Sequence, residues 1–161
     1  MKIVIISDIH DNIPNLESCL RWCRKKEINT MICCGDVTNI DTIKYLSENF
    51  SGTIHLVRGN ADNYEEEDLN KFLNIEYYGR MVIIELGDLK IGMCHEPFLI
   101  DKVLEGGKCD VVFYGHTYKP WIENRNGINL VNPGNLAGTR NRGTFAHWGS
   151  EGLKLKSLDE L

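Results

Sequence analysis

The sequence has no apolar run approaching the roughly eighteen residues of a membrane-spanning helix, so no membrane partner is expected. Met1 leads directly into Lys2 and the apolar Ile3–Ile6 with no small-residue cleavage site. No signal peptide and a cytoplasmic location are therefore expected. There is no basic tract, and 18 Lys and Arg against 23 Asp and Glu leave a net charge of −5. That disfavours nucleic-acid binding through a broad basic surface, while a local pocket could still take a phosphate. No Cys-x-x-Cys occurs; Cys33 and Cys34 are adjacent, and Cys19 and Cys23 share one helical face. Neither a disulfide framework nor a structural zinc site fits this placement, and reduced, buried thiols do. Repeats, linkers and low-complexity stretches are also lacking, so the 161 residues are expected to form one domain, 1–161.

What is present is an alternation of short apolar runs and helical periodicities. Ile3–Ile6 is continuous and β-branched, as in a strand covered on both faces. Pro14 suits a helix first turn, and Leu16, Cys19, Leu20 and Cys23 follow at helical spacing. Residues 30–34 and 53–57 repeat the buried-strand pattern, with Ile40, Ile43 and Leu46 marking a helix between them. This order implies a parallel sheet with right-handed crossovers. Further on, Gly87-Asp88 and Asn126-Gly127 each sit between two strand-like runs and predict hairpins. A helix is expected over 99–105, a buried strand over 110–114, and closing antiparallel strands over 144–148 and 153–158. The fold class is α/β: a four-layer α/β/β/α sandwich of two mixed sheets flanked by helices. The acidic run 65–68 reads as a solvated helix start.

Reactive groups in open α/β sheets gather beyond the carboxyl ends of strands. Asp8 and His10 follow the first strand, Asp36 the second, Asn60 the third, His95 the Gly87 hairpin and His116 the run ending at Tyr114. Five strand ends thus deliver a carboxylate, imidazole or amide to one rim. Gly35, Gly59 and Gly115 immediately precede three of these residues and permit sharp turns and close backbone approach. A mixed oxygen and nitrogen donor set suits manganese, iron or zinc better than calcium. Two such ions about 3.5–4 Å apart activate water and clamp phosphorus. A carboxylate must bridge them, and Asp36 is the candidate.

The segments Asp8-Ile9-His10, Gly35-Asp36, Gly59-Asn60, His95 and Gly115-His116 resemble, in order and spacing, the blocks of the calcineurin-like metallophosphoesterase superfamily. The closest likeness is to the small single-domain phosphodiesterases of bacteria and archaea, and Asn132-Pro133-Gly134 matches a late block near that family's site. The resemblance implies a metal-dependent phosphoesterase, chiefly a phosphodiesterase, acting through attack of a dimetal-bound water or hydroxide. Asp8 and His10 would bind the first metal, Asp36 would bridge, and Asn60, His95 and His116 would complete the second. Asp36 and Asn60 would be catalytic as well, Asn60 by touching a substrate phosphate oxygen. The implied cofactors are two divalent ions (manganese, or nickel, iron, zinc or magnesium), and the implied partner is a small phosphorylated or nucleotide-like substrate. Asn12 and Asn39 are candidates for supporting or substrate contacts, and Arg140 and Arg142 for a phosphate clamp. A homo-oligomer is left open.

Three residues depart from the pattern. Ala61 stands where larger relatives carry a leaving-group-protonating His, so good leaving groups should be favoured. Glu96 replaces the usual Gly and is expected to be a tolerated exposed loop residue, the alternative being a carboxylate that orients an imidazole or adjusts access. Tyr118 replaces the last His of the GH-x-H block. A neutral phenol, with a pKa of about 10, is a weak ligand. Tyr118 is thus expected to pack or hydrogen-bond nearby and leave the first metal site weak or water-completed. These departures define a rival reading, a catalytically impaired metal-binding or protein-interaction module of the same fold. His55 and His147 are expected to be packed or surface histidines, and Trp22 to lie on a helix surface.

Overall fold

A computed structural model describes residues 2–161. The first sheet has the order β11-β10-β1-β2-β3-β4, built from Gly152–Ser157 (β11), Thr144–Gly149 (β10), Ile3–Ile6 (β1), Thr30–Cys33 (β2), Thr53–Leu56 (β3) and Ile75–Tyr77 (β4). Strands β1 to β4 are mutually parallel, while β10 joins β1 and β11 antiparallel. The second sheet runs Met81–Leu86 (β5), Leu89–Cys94 (β6), Val111–Phe113 (β7), Ile128–Asn132 (β9) and Trp121–Arg125 (β8), with β7 parallel to both its neighbours. Both sheets are therefore mixed. The two predicted hairpins are β5–β6 and β8–β9, the latter turning on Asn126 and Gly127 at φ 54° and 86°, as a type I′ turn requires.

The alternation of side chains along the parallel strands assigns the layers. Val4, Ile6, Met31, Cys33, Ile54 and Leu56 pack outward against Leu16, Leu20, Ile43 and Leu46. These last four belong to helices Ile13–Lys26 (α1) and Ile40–Asn49 (α2). Ile3, Ile5, Ile32 and Val57 point the other way, onto Ile91, Met93, Val111, Phe113 and Val131 of the second sheet. A strand buried on both faces cannot alternate polar and apolar, which is why β1 reads as four consecutive aliphatics. The outer face of the second sheet is covered by Ile100–Glu105 (α3) through Ile100 and Val103. The fourth layer is thus one short helix, and every residue of the edge strand β8 is exposed.

Several local details differ from expectation. Trp22 is buried, edge-on to Phe145 at 5.0 Å and His147 at 5.2 Å, so it seals α1 onto β10 rather than lying on the helix surface. Strand β4 was not anticipated: three residues of mixed polarity carry no period, and only pairing with β3 defines them. The acidic run opens an exposed 3-10 helix, Glu66–Lys71. Among the described residues no helix is long and apolar enough to cross a membrane.

Candidate metal centre

Asp8, His10, Asp36, Asn60, His95 and His116 all emerge on loops that follow the carboxyl ends of β1, β2, β3, β6 and β7. The loops are tightly constrained. Among the described residues ten non-glycines have positive φ, and seven lie here: Asp8, His10, Asp11, Asp36, Thr38, His116 and Tyr118. Strain of this kind persists only where surrounding structure imposes it, and it concentrates at working sites. Two glycines make room for the carboxylates. A Cβ on Gly59 would lie 2.1 Å from Asp36 Oδ1, and one on Gly115 would lie 2.8 Å from Asp8 Oδ2.

Each buried carboxylate is fastened by one oxygen and free at the other. Asp8 Oδ2 accepts from the Ser7 hydroxyl at 2.6 Å and the His116 amide at 3.1 Å, whereas buried Oδ1 has no hydrogen-bond partner. Asp36 Oδ1 accepts from the Ala61 amide at 2.8 Å, and Oδ2 faces His95 Nε2 at 3.3 Å and His10 Nε2 at 3.6 Å. His10 Nε2 is also 3.7 Å from Asp8 Oδ1. The His95 Nδ1–H donates to the Cys34 carbonyl at 2.7 Å. This leaves the Nε2 lone pair among acceptors only: Asp36 Oδ2, Asn60 Oδ1 at 3.0 Å and Asp8 Oδ1 at 4.0 Å. His116 Nδ1 meets the same Asn60 oxygen at 2.8 Å.

Lone pairs converging in a buried space repel unless a cation lies between them. Ligands of one ion at bonds of about 2.0–2.2 Å must lie within about 4.4 Å of each other. The contacts of His10 with Asp8 and Asp36, and of His95 with Asp36 and Asn60, meet that limit. The donor set fits divalent metal, and ligand-type atoms of Asp8, His10 and Asp36 all lie within 4.8 Å of one another.

The charges are mutually supportive. The Asp8 carboxylate beside His10 raises the pKa of the imidazole; burial opposes that rise, and Asp36 adds to it. Burial also works against a charged His95, but its contacts with Asp36 and Asp8 prevail and raise its pKa. The Asp36 carboxyl is lowered despite burial, chiefly through His95.

Tyr118 does enter the site. Its hydroxyl lies 2.9 Å from His10 Nε2, the nitrogen that faces the two carboxylates, and shares a hydrogen bond with it. Burial, then Asp8 and Asp36, push its pKa up, so it stands as a neutral phenol. Glu96 corrects the expectation of an exposed loop residue: its side chain is only 7% exposed and pairs with Arg80 at 2.8 Å. Asn12 caps α1 and donates to the Ala137 carbonyl, while Asn39 donates to Asp11. Both brace loops. Arg140 lies over the Tyr118 ring at 6.0 Å, but Arg142 turns away to Asp159, so the two do not form one clamp. His55 packs on Tyr78, and His147 packs on Trp22.

Asp62 is the residue whose part was missed. It is buried and accepts from the amides of Asp36, Thr38 and Gly59 at 3.2, 2.8 and 2.7 Å, and from the Tyr64 hydroxyl at 3.1 Å. It thereby ties the Asp36 loop to the Asn60 loop. The available signal was an Asp three residues after a glycine, the spacing of an Asx-type turn.

Residues 1–148 match the family model of the calcineurin-like phosphoesterase superfamily domain. The chain belongs to the calcineurin-like phosphoesterase superfamily. Its relatives include phosphodiesterase MJ0936 of Methanocaldococcus jannaschii, 30% identical over 86% of this chain and 86% of that one. A solved archaeal phosphodiesterase superposes with a TM-score of 0.86 at 27% identity, over 98% of this chain and 99% of the other. Zinc-complexed Vps29 of Entamoeba histolytica shares the fold with a TM-score of 0.73 at 18% identity, each chain covered to 97%. Superfamily membership makes the chain a metal-dependent phosphoesterase, and the impaired-module reading is not favoured.

Proposed function

We propose that the protein hydrolyses phosphodiesters of small, nucleotide-like molecules at a centre for two divalent cations. Asp8 and His10 would hold the first ion; Asn60, His95 and His116 would hold the second; Asp36 would bridge. The supporting observation is that Asp8 Oδ1, Asp36 Oδ2 and the Nε2 atoms of His10 and His95 converge with no donor among them but the Tyr118 hydroxyl. When bound, such ions supply Lewis acidity at phosphorus and lower the pKa of a water. The chain supplies the rest. The Ala61 amide prevents the Asp36 carboxylate from rotating away. The Cys34 carbonyl holds His95 in the tautomer whose Nε2 is free to ligate. Asn60 stands between two imidazoles and can turn its amide nitrogen to a phosphate oxygen.

A preference for good leaving groups follows from position 61. Ala61 cannot protonate a departing alkoxide, so an ester with a stable leaving group is hydrolysed best. Manganese, nickel, iron, zinc and magnesium all suit the donor set, with the first site the weaker because Tyr118 brings a phenol where an imidazole would serve. Six free, buried cysteines suit a reducing cytoplasm.

The test is manganese-dependent hydrolysis of bis-p-nitrophenyl phosphate beside p-nitrophenyl phosphate. Diester turnover that chelation abolishes and manganese restores supports the proposal. Turnover confined to the monoester, or none with any of these metals, overturns it.

A further inference from the structure

Arg80 immediately precedes β5 and takes no part in the chemistry above. Met81 pairs with Cys94 at the end of the β5–β6 ladder, so Arg80 and His95 are the residues that follow on the two chains just beyond it. Adjacent strands are about 4.8 Å apart. The preceding residue, Gly79, accepts the Arg58 amide at 2.7 Å, two residues before Asn60. The turn carrying Arg80 is therefore stitched between two loops that bear ligand-type side chains.

Its guanidinium is held in place. Arg80 donates to Glu96 Oε1 at 2.8 Å and lies 5.9 Å from the Phe98 ring centroid. Glu96 is nearly buried and its Oε2 has no partner, while Arg80 is 58% exposed. A desolvated carboxylate with one unmatched oxygen, paired to a cation half in water, is a poor stabilising device. It does fix where the guanidinium sits. Arginine has five N–H donors in a planar fork suited to phosphate, and this pair uses few of them. Phe98 is 67% exposed, a large aromatic face in water beside the cation. Arg58, by contrast, is engaged by the Asp62 carbonyl at 3.2 Å and the Tyr64 ring at 5.3 Å.

We propose that Arg80, positioned by Glu96, and Phe98 form a subsite for nucleoside phosphodiesters that carry a second phosphate. The second phosphate binds Arg80 and the base stacks on Phe98. This rests on the phosphodiesterase reading above and adds the class of substrate.

Three chromogenic esters test it in the manganese-loaded protein: bis-p-nitrophenyl phosphate, thymidine 5′-(p-nitrophenyl phosphate), and the latter carrying a 3′-phosphate. Wild type should favour the 3′-phosphorylated ester, mainly through KM. Arg80→Gln should cut the ratio of its kcat/KM to that of bis-p-nitrophenyl phosphate by about tenfold, as expected for one charge-assisted hydrogen bond. Arg80→Lys should restore part of that ratio, and Glu96→Gln should lower it less than Arg80→Gln. Phe98→Ala should penalise both nucleoside esters against the simple diester. A wild type indifferent to the 3′-phosphate, or an Arg80→Gln variant with an unchanged ratio, overturns the subsite. Should wild type hydrolyse no diester, the phosphodiesterase reading fails separately. Calorimetry with thymidine 3′,5′-bisphosphate then judges the subsite: weaker binding to Arg80→Gln supports it, and equal binding overturns it.

Discussion

On the His95 side of Asp36, His95 is fully buried and bonded to the Cys34 carbonyl, and the Asn60 loop is pinned through Asp62, while the Asn60 and His116 side chains reach the surface. On the other side His10 has a quarter of its side chain in water, and its Nε2 meets the Tyr118 hydroxyl where the related pattern supplies a second imidazole. The two halves share a carboxylate but differ in ligand count and in how their histidines are braced. The half with more ligands should keep its ion at concentrations where the other is only partly filled. Activity should then follow the filling of the His10 half, while fold stability follows the Asn60 half.

The largest effect should come from removing what the halves share. Asp36→Asn deletes the bridging charge, so metal-dependent turnover of bis-p-nitrophenyl phosphate should fall by about 10³-fold or more. Metal titration should lose both binding events together; loss of only one would show that Asp36 serves one half alone.

Asp62→Ala attacks the Asn60 half from behind. It strands three backbone amides and the Tyr64 hydroxyl, and the cost should be about 3–5 kcal/mol in urea unfolding. A variant as stable as wild type would mean that the Asn60 loop is held by something else.

Why Asp62 was not read from the chain, while the six residues at the five strand ends were, has a physical reason. Asp8, Asp36 and His116 announce themselves because each follows an apolar run by a few residues, often through a glycine, and strand direction sends them to a common edge. Asp62 works by accepting from amides on two different loops, a relation set only when the loops meet. Glu96 is the same case: its partner Arg80 is sixteen residues away, and only the β5–β6 register brings them together. The layers were legible because burial on both faces removes alternation. Strand β4 was not, since its pairing with β3 is all that defines it. Trp22 falls between: its helical phase was readable, but the strand β10 that covers it comes more than a hundred residues later.

Tyr118 offers a way to erase the difference between the halves. Tyr118→His should tighten manganese binding at the weaker site by about 10–100-fold, the range seen when a metal site's supporting group is changed. Turnover at limiting manganese should rise with it. Tyr118→Phe removes the hydroxyl that is hydrogen-bonded to His10 Nε2 and should tighten the same site, by less. If Tyr118→Phe instead weakens it, the phenol oxygen is itself a ligand and the halves are more alike than their residues suggest.

The smallest expected effect separates rim histidines from an interior one by sign. In the metal-free protein the pKa values of His10 and His95 are raised. Their protonated forms add stability that is fully present below about 6.5, the ordinary histidine value, and is lost as pH rises through the folded values. His55 is opposite. Buried in β3, stacked on Tyr78 and bonded to its hydroxyl at 2.9 Å, it has its pKa lowered by burial. Its contribution is present above about 6.5 and is lost as pH falls through the lowered value, because the unfolded chain takes up the proton first. Asp36 acts only lower, in the carboxylate range. Urea midpoints of chelator-treated protein at pH 7.5 and 5.5 should therefore shift in opposite directions on removing the two kinds of histidine. His55→Gln should improve relative stability at pH 5.5, and His10→Gln should reduce it. If both variants shift the same way, the lowered pKa of His55 is not expressed in stability, and the contrast between rim and interior is one of geometry alone.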